Sequence, residues 1–166
     1  MKFPKLNNPT HLLATCFGIG TVPFAPGTFG TLFGVFLIYS ISLSDLSTTY
    51  FVISLIFFSW IICILVSREL DEHDHSAIVI DELAGYAIIY LLIPITLFNL
   101  IFGFILFRVF DIFKPFPISW LDKNIKNGSG IIIDDLVAGI LSGVIISLFQ
   151  TLILSLIHIS EPTRPT

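Results

Sequence analysis

The sequence predicts an all-α protein, a polytopic membrane helical bundle with short helices and a helical hairpin, and with its polar loops on one side. Of its 166 residues, 55% are hydrophobic and 12% are charged, and the mean hydropathy is +0.96. Ordinary soluble domains carry about 25% charged residues. Apolar runs of helical length alternate with short polar segments, and the charges are concentrated in those segments.

The first half of the chain is predicted to hold irregular backbone and two helices. The first 30 residues combine a polar start with a Gly-, Pro- and Thr-rich segment, which indicates turns between short helical pieces. Apolar runs at 31–43 and 50–66 are predicted as helices, and the second is just long enough to span a bilayer. A polar, acidic segment at 67–81 follows.

The apolar run at 83–107 decides the predicted topology. One continuous helix would place Asp81 about 45 Å from Asp111. A hairpin turning at Pro94–Asn99 would put both acidic clusters on one side. Cytoplasmic loops are rich in Lys and Arg, and the hairpin gathers these basic residues on one side: Lys2, Lys5, Arg68, Arg108, Lys114, Lys123 and Lys126. We therefore predict the hairpin, although each arm is too short to cross about 30 Å alone.

The end of the chain combines a predicted helix with a tail of different character. An apolar run predicts a final helix over 136–154. The segment LSLIHISEPTR, Leu154–Arg164, matches the in-frame translation of a common transposon-based sequencing adapter. We therefore expect a single domain over 1–153 and a non-native tail over 154–166.

Composition argues against some functions. The net charge is −4, and no basic patch interleaved with aromatic residues suggests a nucleic-acid partner. Cys16 and Cys63 lie far apart in apolar surroundings, without metal-ligand spacing, so we expect buried thiols. The N-terminus lacks the apolar core and cleavage site of a signal peptide.

The first polar motif, HDHSAIVIDELAG, covers His73 to Gly85. Asp81 and Glu82 begin a predicted helix, where carboxylates also stabilise the N-terminus. The ionisable residues at 72–75 crowd the same segment, which favours a nearby cation or phosphate over capping alone. A zinc site is disfavoured, because residues two apart diverge on a helix and no cysteine joins the histidines.

The second motif, RVFDIFKP, spaces Arg108, Asp111 and Lys114 three residues apart, so that they would share one helix face. A local ion pair is one interpretation. The functional alternative assigns Asp111 to a metal, and Arg108 and Lys114 to phosphate oxygens. Pro115 is predicted to end the helix.

Two glycine-containing segments complete the set. In GSGIIIDDLVAG, Gly128 and Gly130 predict a flexible turn whose N–H groups approach an anion. Asp134 and Asp135 would follow at a helix start, where adjacent carboxylates repel unless a cation lies between them or one of them caps the helix. The segment 20–31, which includes Thr28, fits either a phosphate-facing nest or a structural turn.

Together these elements resemble the phosphatidylglycerophosphatase A family of bacterial membrane phosphatases. HLLATCFGIGTVPFAPGTFGTL, HDHSAIVIDELAG, FRVFDIFKPFPISWLDKN and GSGIIIDDLVAG occur in the family's order over residues 11–143. The resemblance implies an all-helical core and magnesium-dependent hydrolysis of phosphatidylglycerophosphate to phosphatidylglycerol and phosphate, at the cytoplasmic face of the inner membrane. The short apolar turn near Pro94–Asn99 departs from the family, whose members are more polar there.

The resemblance also supplies expected roles. The family's acidic residues would be Asp81, Glu82, Asp111, Asp134 and Asp135, which we expect to hold one or two Mg²⁺ ions and to serve catalysis together with Lys114. From the residues themselves, we further expect Arg108, Lys114 and Thr28 to bind the phosphate, and Asp74 or His75 to protonate the leaving group. The expected partners are the lipid substrate and membrane lipids, with the oligomeric state left open.

Other classes are less consistent with the pattern. The chain lacks a D-x-D-x-T motif, a Cys-x5-Arg loop, the Arg/His signature of phosphohistidine enzymes and the CDP-alcohol transferase pattern. A cation-transporting protein, the alternative function, would place its charges in mid-helix, whereas these cluster at predicted helix ends beside Lys and Arg. A scaffold would not need five converging acidic residues.

Overall fold

The computed structural model describes residues 3–44, 46–70 and 75–160, with side chains as far as residue 156. Within these ranges the chain forms seven α-helices and no strand, which confirms the all-α prediction. Short 3₁₀ turns lie at Ile19–Thr21 and Ile88–Leu91. The helices are α1 (Pro9–Ala14), α2 (Pro26–Ser42), α3 (Thr48–Glu69), α4 (Ile80–Ala87), α5 (Leu97–Phe113), α6 (Ile118–Asn124) and α7 (Gly128–Ser160).

The short helix α4 is the centre of the bundle. It packs against α2, α3, α5 and α7, and all of its residues except Glu82 are buried. Glycines let its backbone approach α7 closely: a Cβ atom added at Gly85 would lie 2.7 Å from the Asp135 carbonyl oxygen, and one at Gly139 would lie 1.9 Å from that of Gly85. This contact brings Asp135 beside the start of α4.

The predicted hairpin is confirmed. Helix α4 and its 3₁₀ extension end at Leu91, and α5 begins at Leu97. The Thr96 side chain accepts a hydrogen bond from the Asn99 N–H, which caps α5. The Asn99 side-chain amide donates to the Pro94 carbonyl over 2.8 Å. The first arm is about 20 Å long, which is shorter than the roughly 30 Å hydrocarbon core of a bilayer.

Two predicted helix boundaries are wrong. Helix α2 begins at Pro26, because proline suits the first helical position. Helix α7 begins at Gly128 rather than 136, because the Asn127 side chain accepts hydrogen bonds from the N–H groups of Ser129 and Gly130. The predicted flexible turn is therefore the first turn of a helix.

This earlier start changes the interpretation of the motif. Asp134 and Asp135 lie in the second turn of α7 and do not cap it. The glycines permit close packing: a Cβ at Gly128 would lie 2.3 Å from Ser67 Oγ, and one at Gly130 would lie 1.8 Å from the Ile125 carbonyl oxygen. Gly128 therefore lies against the C-terminal end of α3. Helix α7 also continues past residue 154, and the domain boundary there stays a prediction.

Among the described residues, two helices are long and apolar enough to cross a membrane: α3, and α7 over Gly128–Leu156. Helix α2 is apolar but has only 17 residues. The motif-bearing ends of the helices meet at one end of the bundle, the site end. Helix α2 ends, and α3 and α5 begin, at the opposite end, and the sequence segments 43–47 and 92–96 between these elements contain no Lys or Arg.

Candidate active site

A polar pocket of about 210 Å³ opens at the site end of the bundle. The first turn of α2, the start of α4, the end of α5 and the second turn of α7 all contribute to it. All five predicted acidic residues and both predicted phosphate-binding cations line it: Asp81, Glu82, Asp111, Asp134, Asp135, Arg108 and Lys114. The hairpin and the contact between α4 and α7 thus bring three distant motifs together.

Three of the carboxylates form a tighter cluster. Asp81, Glu82 and Asp135 each offer one oxygen, and these oxygens lie within 4.8 Å of one another. Asp81 and Asp135 are 5% and 4% exposed. Glu82 Oε2 is fully buried and has no hydrogen-bond partner among the described residues. Such crowding of buried carboxylates is unfavourable unless a positive charge compensates it.

The electrostatics of Glu82 support this conclusion. Burial raises the pKa of Glu82 to about 8. The nearby Asp135 and Asp111 carboxylates also raise it, while a hydrogen bond with the Asp81 side chain and the Arg108 charge lower it. A bound cation would stabilise the ionised form. Because all three groups are hard oxygen donors, the cluster fits a divalent cation of the magnesium or calcium type.

The two cations of the second motif have separate partners. Arg108 Nη1 donates a hydrogen bond to Asp111 Oδ2, so the local ion pair exists, and Arg108 Nε is buried without a partner among the described residues. Lys114 lies beyond the end of α5 in a left-handed conformation, with φ of 41°. The prediction that all three share a helix face therefore fails for Lys114.

Lys114 instead joins α5 to α6 and α7. Its Nζ donates to Asp122 Oδ1 over 2.6 Å and to Asp134 Oδ2 over 2.7 Å. Burial lowers the pKa of Lys114, but these two hydrogen bonds outweigh that effect and hold it above its usual range. Lys114 is therefore a fixed positive charge at the pocket edge.

Sequence reasoning gave no individual role to the six other residues that line the pocket, which are Ala25, Pro26, Gly27, Ser76, Ile78 and Ile131. A Cβ atom at Gly27 would lie 2.1 Å from Glu82 Oε1 and 3.1 Å from Arg108 Nη1, so only glycine leaves room for both groups. The proline that precedes it, at the start of α2, was the available signal. Ser76 is exposed and also lines the pocket, next to the His-Asp-His segment.

Two predicted residues lie outside the pocket lining, and a third lies outside the described residues. Thr28 is half-buried beside Gly27 but is not part of the lining. His75 also lies outside the lining: its Nδ1 accepts a hydrogen bond from the Ala77 N–H over 3.2 Å, and its ring packs edge-on against Phe3. Asp74 lies outside the described residues. The roles of all three stay predictions.

Comparison with known proteins agrees with the resemblance. The family model of phosphatidylglycerophosphatase A matches residues 12–150. Two relatives named phosphatidylglycerophosphatase A are similar over most of their length. The Escherichia coli K12 protein is 38% identical over 140 residues, which is 83% of this chain and 81% of the relative. The Haemophilus influenzae protein is 41% identical over 154 residues, 90% and 94% of the two chains.

A third relative has a different name. The putative phosphatidylinositol-3-phosphatase of Bacteroides thetaiotaomicron is 33% identical over 150 residues, 86% of this chain and 94% of the relative. No solved structure matches this chain. The family match covers the four motifs except for His11, the first residue of the first motif, and it includes every residue that lines the polar pocket. The chain therefore belongs to the phosphatidylglycerophosphatase A family.

Proposed function

We propose that this protein hydrolyses phosphatidylglycerophosphate to phosphatidylglycerol and inorganic phosphate, and that the polar pocket is its active site. The observation that carries the proposal is a buried cluster of three carboxylates in a pocket that also holds two basic side chains. The carboxylates are Asp81, Glu82 and Asp135, and the basic residues are Arg108 and Lys114. A phosphomonoester is the ligand that such a combination suits, because its oxygens bind both metal ions and Arg or Lys donors. The names of the Escherichia coli and Haemophilus influenzae relatives support this substrate.

We assign the acidic cluster to Mg²⁺. Asp81, Glu82 and Asp135 would hold the ion, and Asp111 and Asp134 lie close enough to the cluster to share the pocket with it. When bound, such an ion polarises a phosphoryl oxygen and lowers the pKa of a water molecule. The preference for magnesium over other hard cations rests on the family resemblance.

The other pocket residues position the phosphate. Arg108 would donate its guanidinium N–H groups to phosphate oxygens, with Nε available and Asp111 holding Nη1 in place. Lys114 would supply a point charge, which Asp134 and Asp122 keep protonated and oriented. Asp74 or His75 would protonate the leaving oxygen, because both lie in the segment that precedes Ser76 at the pocket edge.

We further propose that α3 and α7 cross the bacterial inner membrane, that the bundle is multi-pass, and that the polar pocket faces the cytoplasm. Basic residues at or beside the helix ends that form the site end follow the cytoplasmic pattern; they are Arg68, Arg108, Lys114, Lys123 and Lys126. Cysteines placed at Ser47 and Lys126, near opposite ends of α3, would then react with an impermeant reagent from opposite sides. Labelling of both from the same side would contradict this topology.

The test of the proposed function is phosphate release from phosphatidylglycerophosphate by the purified protein in detergent. We expect release with added Mg²⁺, loss of release with excess chelator, and recovery when Mg²⁺ is restored. Phosphatidylinositol 3-phosphate serves as the second substrate, because the third relative's name suggests it. Absence of release from phosphatidylglycerophosphate would refute the activity, and full release in chelator would refute the metal assignment.

A further inference from the structure

An apolar groove of about 390 Å³ lies between α2 and α5. Its α2 wall includes Leu32, Val35 and Phe36, and its α5 wall includes Leu97 and Ile101. The groove is open at the surface of the bundle, because Phe36 is 62% exposed and Leu97 is 73% exposed. This volume is within the range of small-molecule binding sites, about 300–1,000 Å³.

The groove shares no lining residue with the polar pocket but ends about one helical turn from it on α5, where Phe104 precedes Arg108 by four residues. Arg108 follows Ile101 and Leu97 by seven and eleven residues, so these side chains share one face of α5. Arg108 Nη1 lies only 3.1 Å from the Cβ position of Gly27, in the first turn of α2. The guanidinium thus bridges the two helices at the edge of the polar pocket. The groove's lining on α5 runs from Leu97 to Phe104, about 10 Å along the helix axis.

Another apolar cavity, of about 360 Å³, lies against a different face of α2 and is lined by residues such as Phe33, Leu37 and Leu55. Like the groove, it shares no lining residue with the polar pocket, but α5, the helix that carries Arg108, does not contribute to it. A ligand whose phosphate contacts Arg108 would reach the groove between α2 and α5 first.

We propose that this groove binds an acyl chain of the lipid whose phosphate occupies the polar pocket; the inference rests on the proposed function. Lipid tails are as apolar as leucine side chains, so leaving the bilayer for the groove gains little from hydrophobicity. The benefit of the groove is orientation. A held chain fixes the direction from which the head group enters the pocket, and such positioning acts on kcat/KM.

Two tryptophan substitutions on α5 test this proposal. Ile101 and Ile105 are both 50% exposed and lie one turn apart, but only Ile101 lines the groove. We expect Ile101→Trp to lower kcat/KM for dioleoyl phosphatidylglycerophosphate in mixed micelles about tenfold, or about 1.4 kcal/mol of transition-state stabilisation. The loss for the dihexanoyl lipid, which fills little of the groove, should be much smaller. Ile105→Trp should change neither value.

A second blocking variant, Leu32→Trp on the α2 wall, keeps the test valid if Ile101→Trp fails to fold. The thermal unfolding of all three variants is compared. If Ile101→Trp and Leu32→Trp lose no more activity than Ile105→Trp, the groove proposal is wrong while the proposed function stands. Equal losses of kcat/KM on the two lipids would also overturn the groove proposal. A change of oligomeric state in the two groove variants would overturn it too, because the groove would then bind a second copy of the protein. A parent protein inactive on both lipids overturns the proposed function as well.

Discussion

The two ends of the α4–α5 hairpin both bury polar groups in apolar surroundings, but they treat them differently. At the turn end, the hydroxyls of Tyr86 and Tyr90 share a 2.6 Å hydrogen bond, and Tyr86 also donates to the Leu100 carbonyl. The Gln150 amide of α7 donates to Asn99 Oδ1 over 2.6 Å. At the site end, Glu82 Oε2 and Arg108 Nε are buried without partners among the described residues.

This difference separates the polar groups that stabilise the fold, at the turn end, from the polar groups that serve the site. A buried polar network whose donors and acceptors are paired rigidifies the fold, and losing one member leaves the others unsatisfied. Crowded carboxylates with a raised Glu82 pKa destabilise the empty pocket and create affinity for a cation. Substitutions at the turn end should therefore reduce stability, and those at the site end should reduce activity.

The largest effect on activity is expected at Glu82. The Glu82→Gln variant keeps the side-chain size but removes the charge, and kcat/KM should fall about 10³-fold with loss of the metal's contribution. The midpoint of thermal unfolding in chelator should not fall, because a neutral amide avoids the burial cost and the carboxylate repulsion that raise the pKa of Glu82. Glu69→Gln, outside the pocket, is the control. An active Glu82→Gln enzyme, or one that is only destabilised, would contradict the comparison.

The second-largest effect on activity is expected at Lys114. Replacing it by methionine removes the charge that Asp122 and Asp134 hold at the pocket edge, and we expect kcat/KM to fall about 10²-fold. Lys123→Met is the matched control, because Lys123 is an exposed residue of α6, and its kcat/KM should stay near the parent value. Phosphate-release assays at saturating Mg²⁺ measure both. Equal losses in the two variants would point to a general effect of surface charge.

A smaller loss is expected at Asp111, because the Asp111→Asn variant keeps a side chain near Arg108 but weakens the ion pair. We expect kcat/KM to fall about tenfold, with the Mg²⁺ concentration for half-maximal activity unchanged. The metal titration is the decisive readout. A large rise in the required Mg²⁺ would make Asp111 a metal ligand, as the sequence predicts, and would enlarge the cluster of three.

The smallest effect on activity is expected at the turn end. Asn99→Leu leaves the Pro94 carbonyl and the Gln150 amide without their partner, which should cost about 1–3 kcal/mol of stability. The activity of the folded fraction should stay within about twofold of the parent. Thermal unfolding and kcat/KM on the same preparation separate the two. A selective loss of activity would show that the turn end acts on the site.

The hairpin was predictable from charge alone, because apolar surroundings force ionisable groups towards helix ends. Asp81 and Asp111 share a pocket only if the chain turns back between them, and it does so between Leu91 and Leu97, where Asn99 in the first turn of α5 donates to the Pro94 carbonyl. The start of α7 was not predictable from hydrophobicity, because it depends on the Asn127 side chain capping a glycine-containing first turn.

By itself, the sequence determined the all-helical class, the family and the set of charged residues that meet at one end, because composition and motif spacing carry that information locally. Only the tertiary structure decided which members of that set interact. The approach of α4 to α7 at Gly85 and Gly139 brings Asp81, Glu82 and Asp135 together, and the end of α5 gives Lys114 to Asp122 and Asp134. These pairings depend on distances between backbones, which a linear pattern does not contain.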